Sequence, residues 1–165
     1  MVSRGRVVIA AAFAGLGFLL LGLVYYAGLD NPLLEKVKLD LVGVKVLDIN
    51  SIDKRANLEV KFLVTNPGAK TVTISTISYN LLINDKDVGT GHYSTQDIAL
   101  PGRAAIYPGQ SVELVDKFDL VYSDRISDEY NAIIQGKQVK LLAKGQVSVE
   151  SALSIVEKNF ESSLG

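Results

Sequence analysis

Residues Asn57 to Val64 read N-L-E-V-K-F-L-V. Leu58, Val60, Phe62 and Val64 alternate with Asn57, Glu59 and Lys61, the period of two that lets a strand bury one face and wet the other. Val112, Leu114, Phe118, Leu120 and Tyr122 share a parity further along, as do Val139, Leu141, Ala143, Val147 and Val149, the latter set against Lys140, Lys144 and Glu150. Val37 to Asn50 is also strand-like, but its apolar parity shifts around Gly43, where a bulge or bend is natural. In Thr71 to Asn84 the apolar side runs Val72, Ile74 and then Ile77, Tyr79, Leu81, Ile83. An extra residue near Ser75-Thr76 is required to keep both halves on one core. Asn84-Asp85-Lys86-Asp87 then reads as a hairpin turn.

Only one stretch beyond the N-terminal segment has the helical period. After Ser123-Asp124, good N-cap types, Ile126, Tyr130, Ile133 and Ile134 recur at i, i+4, i+7 and i+8, and Gly136 stops the run. Short alternating strands, Gly/Pro turns and no strand-helix-strand rhythm predict an antiparallel two-layer β-sandwich, with a closed barrel as the alternative. The stretch from Ser151 to Gly165 has a faint Leu153, Val156, Phe160 spacing and reads as a frayed tail. Internal repeats and low-complexity segments are absent from the sequence.

Val7 to Leu29 is free of charge and long enough, at roughly 23 residues, to cross a bilayer as a single helix. Arg4 and Arg6 precede it while Asp30 and Glu35 follow, which predicts a cytoplasmic N-terminus and an extracytoplasmic C-terminal domain at the cell membrane. Tyr25 and Tyr26 sit where ring side chains favour the headgroup level. A cleavable signal peptide is the competing reading, but the apolar run is longer than such a segment needs and a cut after Ala27 or Gly28 lacks the small-residue pattern. Asn31-Pro32 should end the helix. The resulting division is a cytoplasmic end and transmembrane helix over 1–29, a linker over 30–36, the sandwich over 37–150 and the tail over 151–165.

Beyond the anchor, all 18 Asp and Glu face the 17 Lys and Arg less Arg4 and Arg6. That slightly acidic surface argues against a nucleic-acid partner. The chain has no Cys, so disulfides, thiolate chemistry and a lipid-modified cysteine are excluded, and the domain depends on its core. His92 is the single histidine. It stands near Ser94 and Asp97, but on a strand His92, Ser94 and Gln96 form a ladder with Asp97 pointing away, whereas a catalytic triad converges from separate elements. Asp85 and Asp87 flank the hairpin turn without the remaining ligands of a calcium loop. Gly89 and Gly91 form a G-x-G that runs on as strand instead of opening a helix, and so read as turn chemistry rather than a phosphate loop. No catalytic residue, cofactor or metal is expected.

Several pieces in order carry a family resemblance: LEVKFLVTNPG with its Asn66-Pro67 corner, the Ile77-Ser78-Tyr79 strand, the Gly89 and Gly91 pair, and the strands of YPGQSVELVDKFDLVYSD and VKLLAKGQVSV. Over about 37–150 the chain resembles the late embryogenesis abundant type 2 family, whose module is also called the WHy (water stress and hypersensitive response) domain. The family often has a second Asn after the Asn-Pro pair, a place that Gly68 takes here. The resemblance implies a sandwich akin to immunoglobulin and fibronectin type III domains, with a helix near one end and no recognised catalytic site. Asn66, Pro67, Tyr79, Gly89 and Gly91 are its motif residues, expected to be structural. It also implies a link to desiccation and other stress, so two functions are expected: a non-enzymatic, membrane-anchored protector of membranes or proteins, or an accessory or assembly subunit of a membrane complex. The expected partner of Val7 to Leu29 is the lipid bilayer.

Overall fold

The structure, a computed structural model, describes residues 4–28, 31–95 and 104–164. Helix α1 (Arg4–Gly28) is followed by a one-turn helix α2 (Asn31–Leu34), strands β1 (Lys38–Asn50), β2 (Arg55–Thr65), β3 (Thr73–Ile83), β4 (Lys86–Ser94) and β5 (Ser111–Val121), helix α3 (Ser127–Ile134), and strands β6 (Leu141–Glu150) and β7 (Ile155–Leu164). The strands form two antiparallel sheets, one ordered β1-β2-β5 and the other β4-β3-β6-β7. The two-layer sandwich expected from the alternation is therefore the observed architecture.

The parity shifts fall where the sequence places them. The β1–β2 register slips between Leu41 and Gly43, and the β3–β6 register slips between Ile74 and Thr76. Each bulge keeps both halves of its strand aimed at one core. Asn84 and Asp85 have φ of 49° and 67°, the left-handed pair that a two-residue hairpin turn uses. The β1–β2 register slips again between Val46 and Asp48, where the apolar parity passes from Val44 and Val46 to Leu47 and Ile49, and the β3–β4 register slips between Leu81 and Leu82.

Phe62 and Tyr79 are fully buried at the centre and meet edge to face at 4.9 Å, while Phe62 also meets Phe160 at 5.9 Å. One ring contact thus joins β2 of one sheet to β3 of the other, and the second brings in β7.

Three local expectations need correction. The segment from Ser151 is not frayed: Ile155–Leu164 pairs along the whole of β6. Its inward positions are Val156, Lys158, Phe160, Ser162 and Leu164, and the two polar members hide the period of two. Both are used, because β1 and β7 are neighbouring sheet edges: Leu41 N donates to Ser162 Oγ at 2.8 Å, and Lys158 Nζ donates to the carbonyls of Glu35 and Val37. Ser123 and Asp124 are not caps of α3, since a 3₁₀ turn over Asp124–Ile126 comes first and Ser123 makes no side-chain cap bond. Residues 31–34, expected within a linker, form α2 instead, with Leu34 buried at 1% exposure; Pro32 is tolerated in the first turn, where no N–H is needed.

The end of the sandwich that follows α1 carries the 66–71, 107–110 and 151–154 loops. The far end carries the hairpins at 51–54 and 84–85 together with α3. There Lys86 Nζ pairs with Glu129 at 3.1 Å and pins α3 to β4.

Candidate functional site

Tyr79 points from β3 into the space between the sheets, and its hydroxyl donates to Asp116 Oδ2 on β5 at 2.8 Å. Asp116 occupies an inward register of β5, between Leu114 and Phe118, and is only 9% exposed. A buried carboxylate is costly unless hydrogen-bonded, and the phenol supplies the bond. Burial first, and the Asp116 carboxylate second, push the Tyr79 and Tyr93 phenols above their ordinary range. Both rings therefore stay neutral, and Tyr79 stays a donor.

The two glycines read as turn chemistry lie inside β4. Tyr79 pairs with Gly91 on one side and Gly145 on the other. A Cβ at Gly91 would sit 2.2 Å from Tyr79 Cζ, and one at Gly145 would sit 2.0 Å from the Ser78 carbonyl oxygen. The aromatic ring fills the space that the missing side chain leaves at Gly91. Gly89 has φ of +145°, and a Cβ there would be 3.1 Å from Phe118 Cζ. Tyr79, Gly89, Gly91 and Asp116 thus form one packed unit.

Asn66 and Pro67 lie apart from it, at the end near α1. Asn66 is fully buried, and its side-chain amide donates to the carbonyls of Lys70 and Ile106 at 2.8 and 2.9 Å. Its Oδ1 accepts from Gly68 N at 3.0 Å. Its backbone receives Gly109 N and donates to the Gln110 carbonyl. One side chain ties the 66–71 loop to the 104–110 segment while Pro67 stays exposed. A Cβ at Gly68 would be 3.1 Å from Asn66 Oδ1, so the residue standing in the place of the second Asn keeps that oxygen accessible to the backbone N–H.

His92 is exposed on the outer face of the four-stranded sheet, with Nδ1 3.0 Å from Ser78 Oγ. Its partner is thus Ser78 on the neighbouring strand; Gln96 and Asp97 lie outside the described residues. Register continues the row from His92 through Ser78 and Gln146 to Asn159, and the next row runs from Ser94 through Thr76 and Ser148 to Glu157. The middle of this face is a patch of hydroxyls and amides, bordered by Glu157 and by Lys144 and Glu161 in the row that starts at Thr90 and Asn80. Asp85 and Asp87 diverge: Asp85 pairs with Lys140 at 2.9 Å, while Asp87 accepts from Asn80 Nδ2 and Gly89 N. No group of three or more His, Asp or Glu side chains that could hold a metal occurs among the described residues.

Lys158 and Asp116 are the residues that sequence reading missed. The Lys158 ammonium is pushed below its ordinary range by burial, against which Glu35 acts in the raising direction. The available signal for both was a polar residue at an inward parity. An open cleft of about 490 Å³ at the far end is lined in part by Val44, Val46, Ile133, Ile134, Val139 and Leu164.

No family model matches the sequence, and no curated protein does. Solved structures share the fold. A solution structure of a protein from Arabidopsis thaliana superposes with a TM-score of 0.51 at 12% identity, covering 76% of this chain and 79% of that one. A crystal structure of a protein from Archaeoglobus fulgidus gives 0.45 at 15% identity, covering 76% and 94%. A provisionally named late embryogenesis abundant protein gives 0.43 at 13% identity, covering 98% and 90%. At such identities the likeness is one of fold alone, and the second and third superpositions are looser than the first.

Proposed function

We propose that this chain is a non-enzymatic, membrane-anchored protein of the late embryogenesis abundant type 2 (WHy) kind, protecting membranes or proteins during desiccation and related stress. The observation that carries the reading is where the polar groups are used. Among the described residues no buried side-chain nitrogen or oxygen lacks a hydrogen-bond partner. Tyr79, Asp116 and Asn66 are consumed within the fold, and what remains to act is surface. The outer face of the four-stranded sheet offers a patch of hydroxyls and amides, flanked by Glu157, Lys144 and Glu161, at the spacing of neighbouring strands, about 4.8 Å. Such a face can replace the hydrogen bonds that a drying headgroup or protein surface loses with its water.

The sequence motif supports the family assignment, and the sandwich is the fold that the resemblance implies. Helix α1 supports the anchor: its apolar side chains, Phe13, Phe18 and Leu21 among them, find no cover in the protein. In this reading the N-terminus is cytoplasmic, the sandwich is extracytoplasmic and the helix crosses once.

The test is survival of drying by source cells that lack the protein, with and without the full chain restored. Loss of survival that the full chain reverses supports protection, and unchanged survival refutes it. A second reading, as an accessory subunit of a membrane complex, is favoured by the open apolar cleft between β1, α3 and the start of β6. A stoichiometric partner retained in mild detergent would select it.

A further inference from the structure

The two ends of the sandwich differ in how densely their connections are charged. The stretches 66–71, 107–110 and 151–154 on the α1 side hold one charge, Lys70, while the rest of the β4–β5 connection adds Asp97 and Arg103 in sequence, and Glu35, Lys36 and Glu150 flank this end. The far-end connections hold Asp53, Lys54, Asp85 and the charged run from Asp124 to Lys140. Large apolar side chains are exposed at the α1 side: Tyr107 at 56%, Leu153 at 48% and Ile155 at 65%. Exposure alone does not separate the ends, since Ile52 at the far end is 93% exposed. The chain path does.

Only residues 29 and 30 stand between α1 and α2, a reach of roughly 10 Å. From α2 onward the chain is fastened to the sandwich by buried Leu34 and Val37 and by the Lys158 clamp on the carbonyls of Glu35 and Val37. No slack remains there. The Lys70 ammonium lies 5.2 Å from the centre of the Tyr26 ring, in the last turns of α1. Tyrosine at a helix end settles at headgroup depth, and a lysine beside it can reach the same level through its apolar stem.

We infer that this end of the sandwich is a lipid-docking surface, with Tyr107, Leu153 and Ile155 entering the headgroup layer of the bilayer that holds α1 and Lys70 meeting anionic headgroups. The inference rests on the anchored reading of α1. Exposed apolar side chains enter an interface through burial of their surface, and a basic residue beside them is attracted to it; Glu150, the register partner of Ile155, would sit at the aqueous rim of the contact. Docking would fix the sandwich upright, with the cleft and α3 turned away from the membrane.

The full chain, which has no native cysteine, is placed in phosphatidylcholine–phosphatidylglycerol vesicles as four single-cysteine variants, Leu19→Cys, Ile52→Cys, Tyr107→Cys and Leu153→Cys, each carrying a polarity-sensitive fluorophore. Quenching by brominated acyl chains is compared with quenching by aqueous iodide, and circular dichroism checks the fold, with Ile155→Cys as a substitute reporter. The expected result is bromolipid quenching at positions 107 and 153 several-fold above that at position 52, with position 19 strongest. Positions 107 and 153 matching position 52 while position 19 reports lipid would overturn docking and leave the anchor standing. Iodide quenching at position 19 would overturn both.

Discussion

Tyr79 and Asp116 stand 37 residues apart in sequence, on opposite sheets, and are joined by a 2.8 Å hydrogen bond in the buried layer. This bond lies beside the Phe62 and Phe118 rings and turns an otherwise unfavourable inward carboxylate into a cross-sheet tie. Tyr79→Phe leaves that carboxylate short of a donor and is expected to lower stability by about 1–3 kcal/mol, the usual cost of an unmet buried polar group. Chemical unfolding in detergent measures it. In a double-mutant cycle with Asp116→Ala, which removes the acceptor, additive losses would show that the bond contributes nothing of its own.

Gly91→Ala tests the reason for the glycine. The added methyl would overlap the Tyr79 ring, and overpacking of this kind costs about 1–3 kcal/mol. In a Tyr79→Leu background the same substitution should cost less, because the ring that it strikes is gone. Equal cost in both backgrounds, read from unfolding midpoints, would point to backbone strain instead.

Alkaline pH should loosen the fold. Tyr79 and Tyr93 hold their protons above the ordinary value of 10.0, through burial first and Asp116 second. The unfolded chain releases those protons near pH 10 while the folded chain keeps them. The stabilisation is therefore complete below about pH 10 and is lost as pH rises further, at up to about 1.4 kcal/mol per pH unit for Tyr79. Tyr79→Phe should flatten that limb of the stability profile.

Asn66→Asp should be more damaging than Asn66→Ala. The amide nitrogen faces two carbonyl oxygens, those of Lys70 and Ile106, and a carboxylate in its place puts acceptor against acceptor in a site closed to water. Melting temperatures that rank the other way would mean the site admits solvent.

His92→Ala is expected to leave stress survival intact, since the ring is exposed and its contact is a surface serine. Phe62→Ala should abolish survival by unfolding the domain, at about 3–5 kcal/mol. Loss of function in a normally folded His92→Ala variant would reopen an enzymatic reading.

Local periodicity is legible in sequence because a strand with one buried face must alternate, and a bulge must break the alternation where it sits. Val60, Phe62, Gly43, the Ser75-Thr76 slip, the Asn84-Asp85 turn and the helix through Tyr130 all follow from residues within a few positions of one another. Pairing order does not, nor does the satisfaction of an inward polar group, because the partners are distant in the chain. Asp116 breaks an apolar parity until Tyr79 is placed across the core. Lys158 and Ser162 make β7 read as a frayed tail until the turn before β1 presents the carbonyls of Glu35 and Val37 to one, and β1 presents Leu41 N to the other. Gly91 looks like a turn residue until the Tyr79 ring occupies its missing side chain. The alternation determined that there would be strands and which faces they bury; tertiary contact alone decided which polar residues could stay inside.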